Sequence, residues 1–432
     1  MFPNPQAALP FLPHPSLQQY KKQAKDLVKA CSSADHEAIR GWAVKWLRSL
    51  AALQDPSIRD WIVGQADDIT QFVRSRLSNG KCSLADAQFV IARVHGFASW
   101  PKFAKQIDEP VSDFELAAEA IVEGDAATLK RLLRKNPELI RARSTREHQS
   151  TLLHYVSANG VEGYRQKTPK NAAQIAEILL NAGAEVDAEA DVYGGGATAL
   201  GLIATSVHPE AAGVQNALLQ ILLDHGAAIE HPRSAGNNHK AVVGCLENGR
   251  GKAAEFLAEH GAHLDLEGAA GVGRLDIVKT FFDDDGMLKP TAKEKQLKDG
   301  FAWACQFGRS SVVDFLLDHG IDVNARLRHH GNTGLHWAAY GGHANTVKLL
   351  LQRGAETDAR DETYEGTPLE WALHGWASRP DQVQREPYYE VVALLSRADA
   401  KLDQAWVETS RQEIAQKIKS DSRMREALRG ER

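Results

Sequence analysis

"GNTGLHWAAYGGHANTVKLLLQRGAETDAR", residues 331–360, is the stretch on which the reading of this chain turns. It divides into a first helix beginning at or near Thr333, a turn at Gly342, and a second helix that carries Leu350 and Leu351 and ends at Gly354. A glycine at that end can take the left-handed backbone that closes a helix and turns the chain outward. The frame repeats. First helices are expected from Glu115, Thr151, Thr198, Lys240, Leu264, Asp299, Thr333 and Thr367, and second helices end on "LLNAGAEVDAE", "LLDHGAAIE", "LAEHGAHLD" and "LLDHGIDVNA". At Thr367 the hydroxyl oxygen can accept from the first-turn amides, and Pro368 at the first helical position loses no hydrogen bond. One such pair of helices cannot bury its apolar face, so stability must come from stacking neighbours.

"TGLHWAAYGGH", "TPLEWALHGW" and the "LLDHGIDVNAR" ending resemble the ankyrin repeat family, and the intervals 299 to 333 and 333 to 367 are each 34 residues, close to the family period of about 33. The resemblance runs from Phe114 to about Asp403 and is weakest in repeats four and five. It implies an all-α ankyrin solenoid with short β-hairpin fingers, about eight repeats over residues 113–403, and a concave groove whose usual task is to hold a protein. In the family the histidine three residues after the threonine joins neighbouring repeats, which assigns His154 and His336 to structure. His225, His260 and His319, in "DHG" or "EHG" endings, are assigned likewise.

Ahead of the repeats, apolar residues fall at helical spacing: Leu17, Tyr20, Ala24, Leu27 and Val28, then Ile39, Trp42, Ala43, Trp46, Leu47 and Leu50, then Ile58, Trp61, Ile62, Ile69, Phe72 and Val73. "SLADAQFVIARVHG" adds a helix that Ser83 can cap and Gly96 can end, and Ser99 opens a short one holding Trp100, Pro101 and Phe103. After an extension at 1–15, residues 16–107 are therefore expected to form a small helical domain with its tryptophans inward. "SLADAQFVIARVHGFASWPKF" is also similar to the helical leader of some bacterial ankyrin proteins, which points to a bacterial source. Residues 404–432 read as capping helices, with Ile414, Ile418, Met424 and Leu428 spaced to cover an exposed end.

The composition is that of an ordinary soluble protein, 43% hydrophobic and 25% charged with net charge -5, and gives duplex nucleic acid no general attraction. Neither a nucleic-acid nor a membrane partner is expected. Cys31, Cys82, Cys245 and Cys305 form no C-x-x-C pair, so reduced thiols and no metal are expected. Pro10, Pro13 and Pro15 interrupt the opening "MFPNPQAALPFLPHPSLQQY", which argues against a signal peptide and for a cytoplasmic location. No nucleophile elbow or phosphate loop occurs. "YGGGATAL" reads as a finger turn leading into Thr198, and "DDDG" at 283–286 as a solvated helix end. No cofactor is expected.

Three repeats are longer between their helices, through "VEGYRQKTPK", "SVHPEAAG" and "SRPDQVQREP" in repeats two, three and eight, expected as extra loops along one rim of the groove. Between repeats four and five the finger should be missing or minimal. The groove-facing seventh positions include Thr205, Glu247, Gln306, Tyr340 and His374. Around them fall Trp303, Glu370, Trp371 and Trp376, and Tyr193 and His208 in the earlier repeats. Trp337 and Trp371 share the fourth position, which favours core filling, whereas Tyr340 and His374 are expected to face the groove. The set suits a protein partner with apolar anchors. A small-molecule ligand held by stacking needs the same pocket, and the alternative function is an enzyme walled by the inserted loops, with His374 or His208 as acid or base and Glu370, Glu247 or Tyr193 nearby.

Overall fold

The computed structural model describes residues 4–12, 14–33, 35, 37–51, 62–77, 81–230, 240–327, 331–379, 381–403 and 412–430. These divide into two compact units, Met1–His239 and Lys240–Arg432. Among the described residues the chain is all-helical with no strand longer than an isolated bridge, and such bridges join Arg143 to Thr151, Ala190 to Ala197 and Phe282 to Leu288. No described helix is long and apolar enough to cross a membrane.

The first unit opens with α1 (Leu17–Cys31), α2 (Ala38–Ala51), α3 (Ile62–Arg76), α4 (Leu84–Val94) and α5 (Trp100–Asp108). Ser83 caps α4, its hydroxyl accepting from the Asp86 amide while Asp86 reaches back to Ser83. Ser99 stands at the cap of α5 but makes no side-chain bond. Trp42 and Trp46 pack with their rings tilted at 47° in a shared core with Tyr20, Phe97 and Phe103, so the head's aromatic residues fill space. Ile58 and Trp61 lie outside the described residues.

Helix pairs follow: α6 (Asp113–Glu123) with α7 (Ala126–Lys135), α8 (Leu152–Tyr155) with α9 (Ala172–Asn181), and α10 (Ala199–Thr205) with a short α11 (Val207–Ala211) before α12 (Gln215–Asp224). The extra segment of repeat two is turned inward as well as outward: Val161 and Glu162 are fully buried and Arg165 is nearly so. Glu162 pairs with Arg146, Arg165 pairs with Glu115 at 2.7 Å, and Arg146 donates to the His95 carbonyl at 3.2 Å and the Tyr164 hydroxyl at 3.1 Å. Burial by itself would raise the Glu162 carboxyl, but Arg146, then His148 and then Arg165 hold it well below the usual range. The segment of repeat three, unlike that of repeat two, is not a loop, since 207–211 is the helix α11.

The second unit holds α13 (Ala241–Glu247) and α14 (Gly251–Glu259), α15 (Leu266–Gly271) and α16 (Leu275–Thr280), α17 (Glu294–Gln306) and α18 (Ser310–Asp318), α19 (Gly334–Gly341) and α20 (Ala344–Gln352), and α21 (Pro368–Ala377) and α22 (Gln382–Arg397). It closes with α23 (Gln412–Ser420) and α24 (Ser422–Leu428). First helices pack on first helices in order, α13 through α21, and the second helices α16 through α22 line up behind them. Ile414, Ile418 and Met424 join the same core. Between α14 and α15 the chain runs from Glu259 to Leu266 with no bridge, as expected for a minimal finger.

Three helix starts differ from expectation. The helices start after Ser112, Asp265 and Lys293 rather than at Glu115, Leu264 and Asp299. These repeats lack the Thr-Pro signal: the Ser112 and Asp265 side chains accept from first-turn amides instead, and at Lys293, whose side chain cannot accept, Gln296 reaches back to the Lys293 amide at 2.9 Å. "SRPDQVQREP" of repeat eight is mostly helix, not loop: Asp381 caps α22 by accepting from the Gln384 amide at 2.8 Å, and Pro387 is carried inside it near its start. The "DDDG" segment is a finger turn, Asp283 accepting from the Met287 amide at 2.8 Å, rather than a helix end.

The repeat histidines are structural. In each of His154 and His336, Nδ1 accepts from the backbone N–H of the threonine three residues earlier at 3.1 Å. Nε2 then donates to a carbonyl of the next finger, Ala197 or Gly366, also at 3.1 Å. This fixes both rings as neutral. His260 and His319 instead bond the carbonyl four residues back through Nδ1 at 2.7 Å, closing their helices.

Candidate functional site

The fourth positions of repeats six, seven and eight carry Trp303, Trp337 and Trp371, and their stacking brings the rings into one series. Trp303 and Trp337 lie 6.5 Å apart centre to centre, and Trp337 and Trp371 5.5 Å at 74°. Exposure rises along the series: Trp303 and Trp337 are buried, and Trp371 is half-buried. Trp303 donates its indole N–H to Glu267 at 3.0 Å, and Trp371 donates to Asp361 at 3.1 Å. Core filling thus holds for Trp337, while Trp371 stays partly in reach of solvent.

Beside Trp371 the half-buried Tyr340 ring meets it edge-on at 5.7 Å, and Tyr340 lies nearly parallel to the exposed His374 at 6.2 Å. The backbone below is held firmly. Tyr388 of α22 donates its hydroxyl to the Tyr340 carbonyl at 2.8 Å, and Arg379 donates to that hydroxyl in turn. Both Gly342 and Gly375 lie against the Tyr388 ring: a side chain at Gly375 would collide with it and with the Tyr340 carbonyl, and one at Gly342 would press on it at 3.1 Å.

The finger before α21 borders this patch. Asp361 is buried and accepts from the amides of Thr363, Tyr364 and Gly366 at 2.9, 2.7 and 2.9 Å, in addition to the Trp371 indole. Burial would raise that carboxyl, but these hydrogen bonds outweigh it and hold it below its ordinary value. The finger therefore projects rigidly, with Glu362, Tyr364 and Glu365 exposed and Tyr364 at 58%. Sequence reading passed over these finger residues. The signal available was Glu365, which stands two residues before the threonine where Gly331 and Gly196 stand in their repeats.

The other candidates are dispersed. Trp376 and Glu370 are each 1% exposed: Trp376 fills the core, and Glu370 accepts from the Thr367 amide at 2.8 Å as half of a capping box. Burial takes both away from any surface, and it raises the Glu370 carboxyl. Gln306 ends α17 and is half-buried, and its carbonyl receives His343 at 2.8 Å. Glu247 is exposed at the end of α13. In the first unit, Asn159 joins Tyr193 to Thr205: the tyrosine hydroxyl donates to its Oδ1 at 2.6 Å, and its Nδ2 donates to the threonine oxygen at 3.2 Å. His208 sits half-buried on α11, its pKa lowered by desolvation. Among the described residues, no group of three or more His, Cys, Asp or Glu side chains is placed to hold a metal ion.

Residues 266–361 and 301–403 match the family model described as "Ankyrin repeats (3 copies)". The aromatic series lies wholly inside the matched span. No curated protein matches the chain. The chain is thus an all-helical protein with ankyrin repeats in its C-terminal part, preceded by a helical N-terminal region.

Proposed function

We propose that this chain binds a protein partner through the face presented by repeats six to eight. Ankyrin repeats generally mediate protein–protein interaction, and here the observation that carries the reading is the patch of Trp371, Tyr340 and His374. Rings with large contact area stand partly open to solvent on backbone that neighbouring repeats hold in place. Aromatic side chains on a preorganised surface contribute most of the affinity in protein interfaces, because little entropy is lost on ordering them. Of the partners that the acid–base alternative offered to His374 or His208, namely Glu370, Glu247 or Tyr193, Glu370 is buried and its carboxylate is engaged in capping α21.

Affinity purification of the full chain from its native host tests this, with Tyr340→Ala and His374→Ala prepared in parallel. A protein recovered by the parent and depleted by both variants supports the reading. Equal recovery by parent and variants removes it.

A further inference from the structure

The finger of repeat eight is rich in acidic residues and carries one of them on left-handed backbone. "ETDARDETYE", residues 356–365, holds Glu356, Asp358, Asp361, Glu362 and Glu365 against Arg360 alone. Several of these are spent within the fold: Asp361 gathers the finger amides, Asp358 accepts from the Lys401 amide at 2.9 Å, and Arg360 faces Asp403 at 3.5 Å. Glu362 and Glu365 are exposed and, among the described residues, neither carboxylate is paired with a cation.

Glu365 is also strained, with φ at 51°. The residue two before the threonine is left-handed in four repeats, as Gln149 (φ 48°), Gly196 (74°), Gly331 (64°) and Glu365. Glycine meets that need freely, whereas an L side chain resists it. In each of three fingers an arginine secures the carbonyl of this residue: Arg143 that of Gln149, Arg326 that of Gly331, and Arg360 that of Glu365, at 2.9, 2.9 and 2.6 Å. The repeat thus keeps a carboxylate at a position where glycine would relieve strain, next to Tyr364 and on the finger that Asp361 ties to Trp371.

Unneutralised carboxylates beside aromatic faces complement a positive charge, through ion pairing and through attraction of a cation to the ring faces. Resting on the binding reading above, we infer that this face takes a basic peptide segment of the partner, with an arginine or lysine laid against Tyr340 and Trp371 and paired with Glu362 and Glu365.

The test is selection of a displayed library of random dodecapeptides on the full chain, with counter-selection on Tyr340→Ala. Individual winners are then measured by fluorescence anisotropy against the parent and Glu362→Gln/Glu365→Gln. The expected result is winners that need Tyr340, are enriched in arginine and lysine, weaken as salt rises, and lose about fivefold or more in affinity on the charge-neutral double variant. Winners that need Tyr340 but are neutral or acidic, or basic winners that bind the double variant as well as the parent, would overturn this inference while leaving a binding face. Absence of any winner that needs Tyr340 would count against the binding face itself, and this inference would fall with it. Circular dichroism melting of each variant separates loss of contact from loss of fold.

Discussion

Arg360 donates through Nη1 to the carbonyl of Glu365 at 2.6 Å, clasping a residue whose φ of 51° an L amino acid adopts reluctantly. The same clasp joins Arg326 to Gly331, where the backbone carries no penalty. The two fingers therefore share a geometry and differ in what it costs.

That difference is measurable. Glu365→Gly should raise unfolding stability by about 1 kcal/mol, the left-handed penalty less the extra freedom of glycine in the unfolded chain. Arg360→Ala should lower it by a similar amount, since the Glu365 carbonyl loses its donor. Urea midpoints at constant slope read both. A Glu365→Gly protein no more stable than the parent would show that the position is unstrained.

His154 and His336 make stability depend on acid. Burial lowers each from its ordinary 6.5 to about 4. The unfolded chain binds protons more readily than the folded one through that window, so the contribution is fully present above about pH 6.5 and is lost as pH falls toward 4. Each histidine can account for about 3 kcal/mol at most. Thermal melts from pH 7 to pH 4 should fall steeply, and His336→Gln should flatten the slope even as it lowers the plateau at pH 7. A melting temperature level from pH 7 to pH 4 would contradict the neutral assignment.

Glu162 and Arg146 are predicted to fail singly. Glu162→Gln leaves Arg146 and Arg165 with Glu115 as their remaining buried carboxylate, at a cost of roughly 3 kcal/mol. Arg146→Met should cost as much, by leaving the buried Glu162 with Arg165 as its remaining arginine, at 3.5 Å, and by freeing the His95 carbonyl. Combining the two should cost less than the sum, because each removes what the other leaves unpaired. A double-mutant cycle in urea gives the coupling, and strict additivity would show that the pair does not interact.

Legibility in the sequence followed how local each signal was. Thr367-Pro368, the Thr333–His336 pair and Gly354 act within a few residues, so the frame of repeats six to eight could be read directly, and with it the shared position of Trp303, Trp337 and Trp371. Where threonine was missing, Ser112 and Asp265 took over the cap, α17 began after Lys293 with only Gln296 reaching back, and the starts shifted. The buried cluster of Glu115, Arg146, Glu162 and Arg165 was invisible, because each residue alone resembles a solvated charge and the pairing spans separate helices and turns. Glu370 and Trp376 failed as surface candidates for a related reason: capping turned one inward, and α22 covers the other. The extension of repeat eight was read as a loop because it lengthens the interval from Thr367 to Leu394, and interval counting cannot tell an inserted loop from a second helix that starts earlier. Helix α22 does start earlier, at Gln382, and carries Pro387 inside it.

The central claim is that the Tyr340 face meets a protein. A photo-crosslinking amino acid placed at position 340, irradiated in the native host, tests it most directly, with the same group at Ile178 on α9 as the comparison. A discrete protein adduct at 340 that is missing at 178 is the predicted result. The same adducts at both positions, or none at 340, would contradict it.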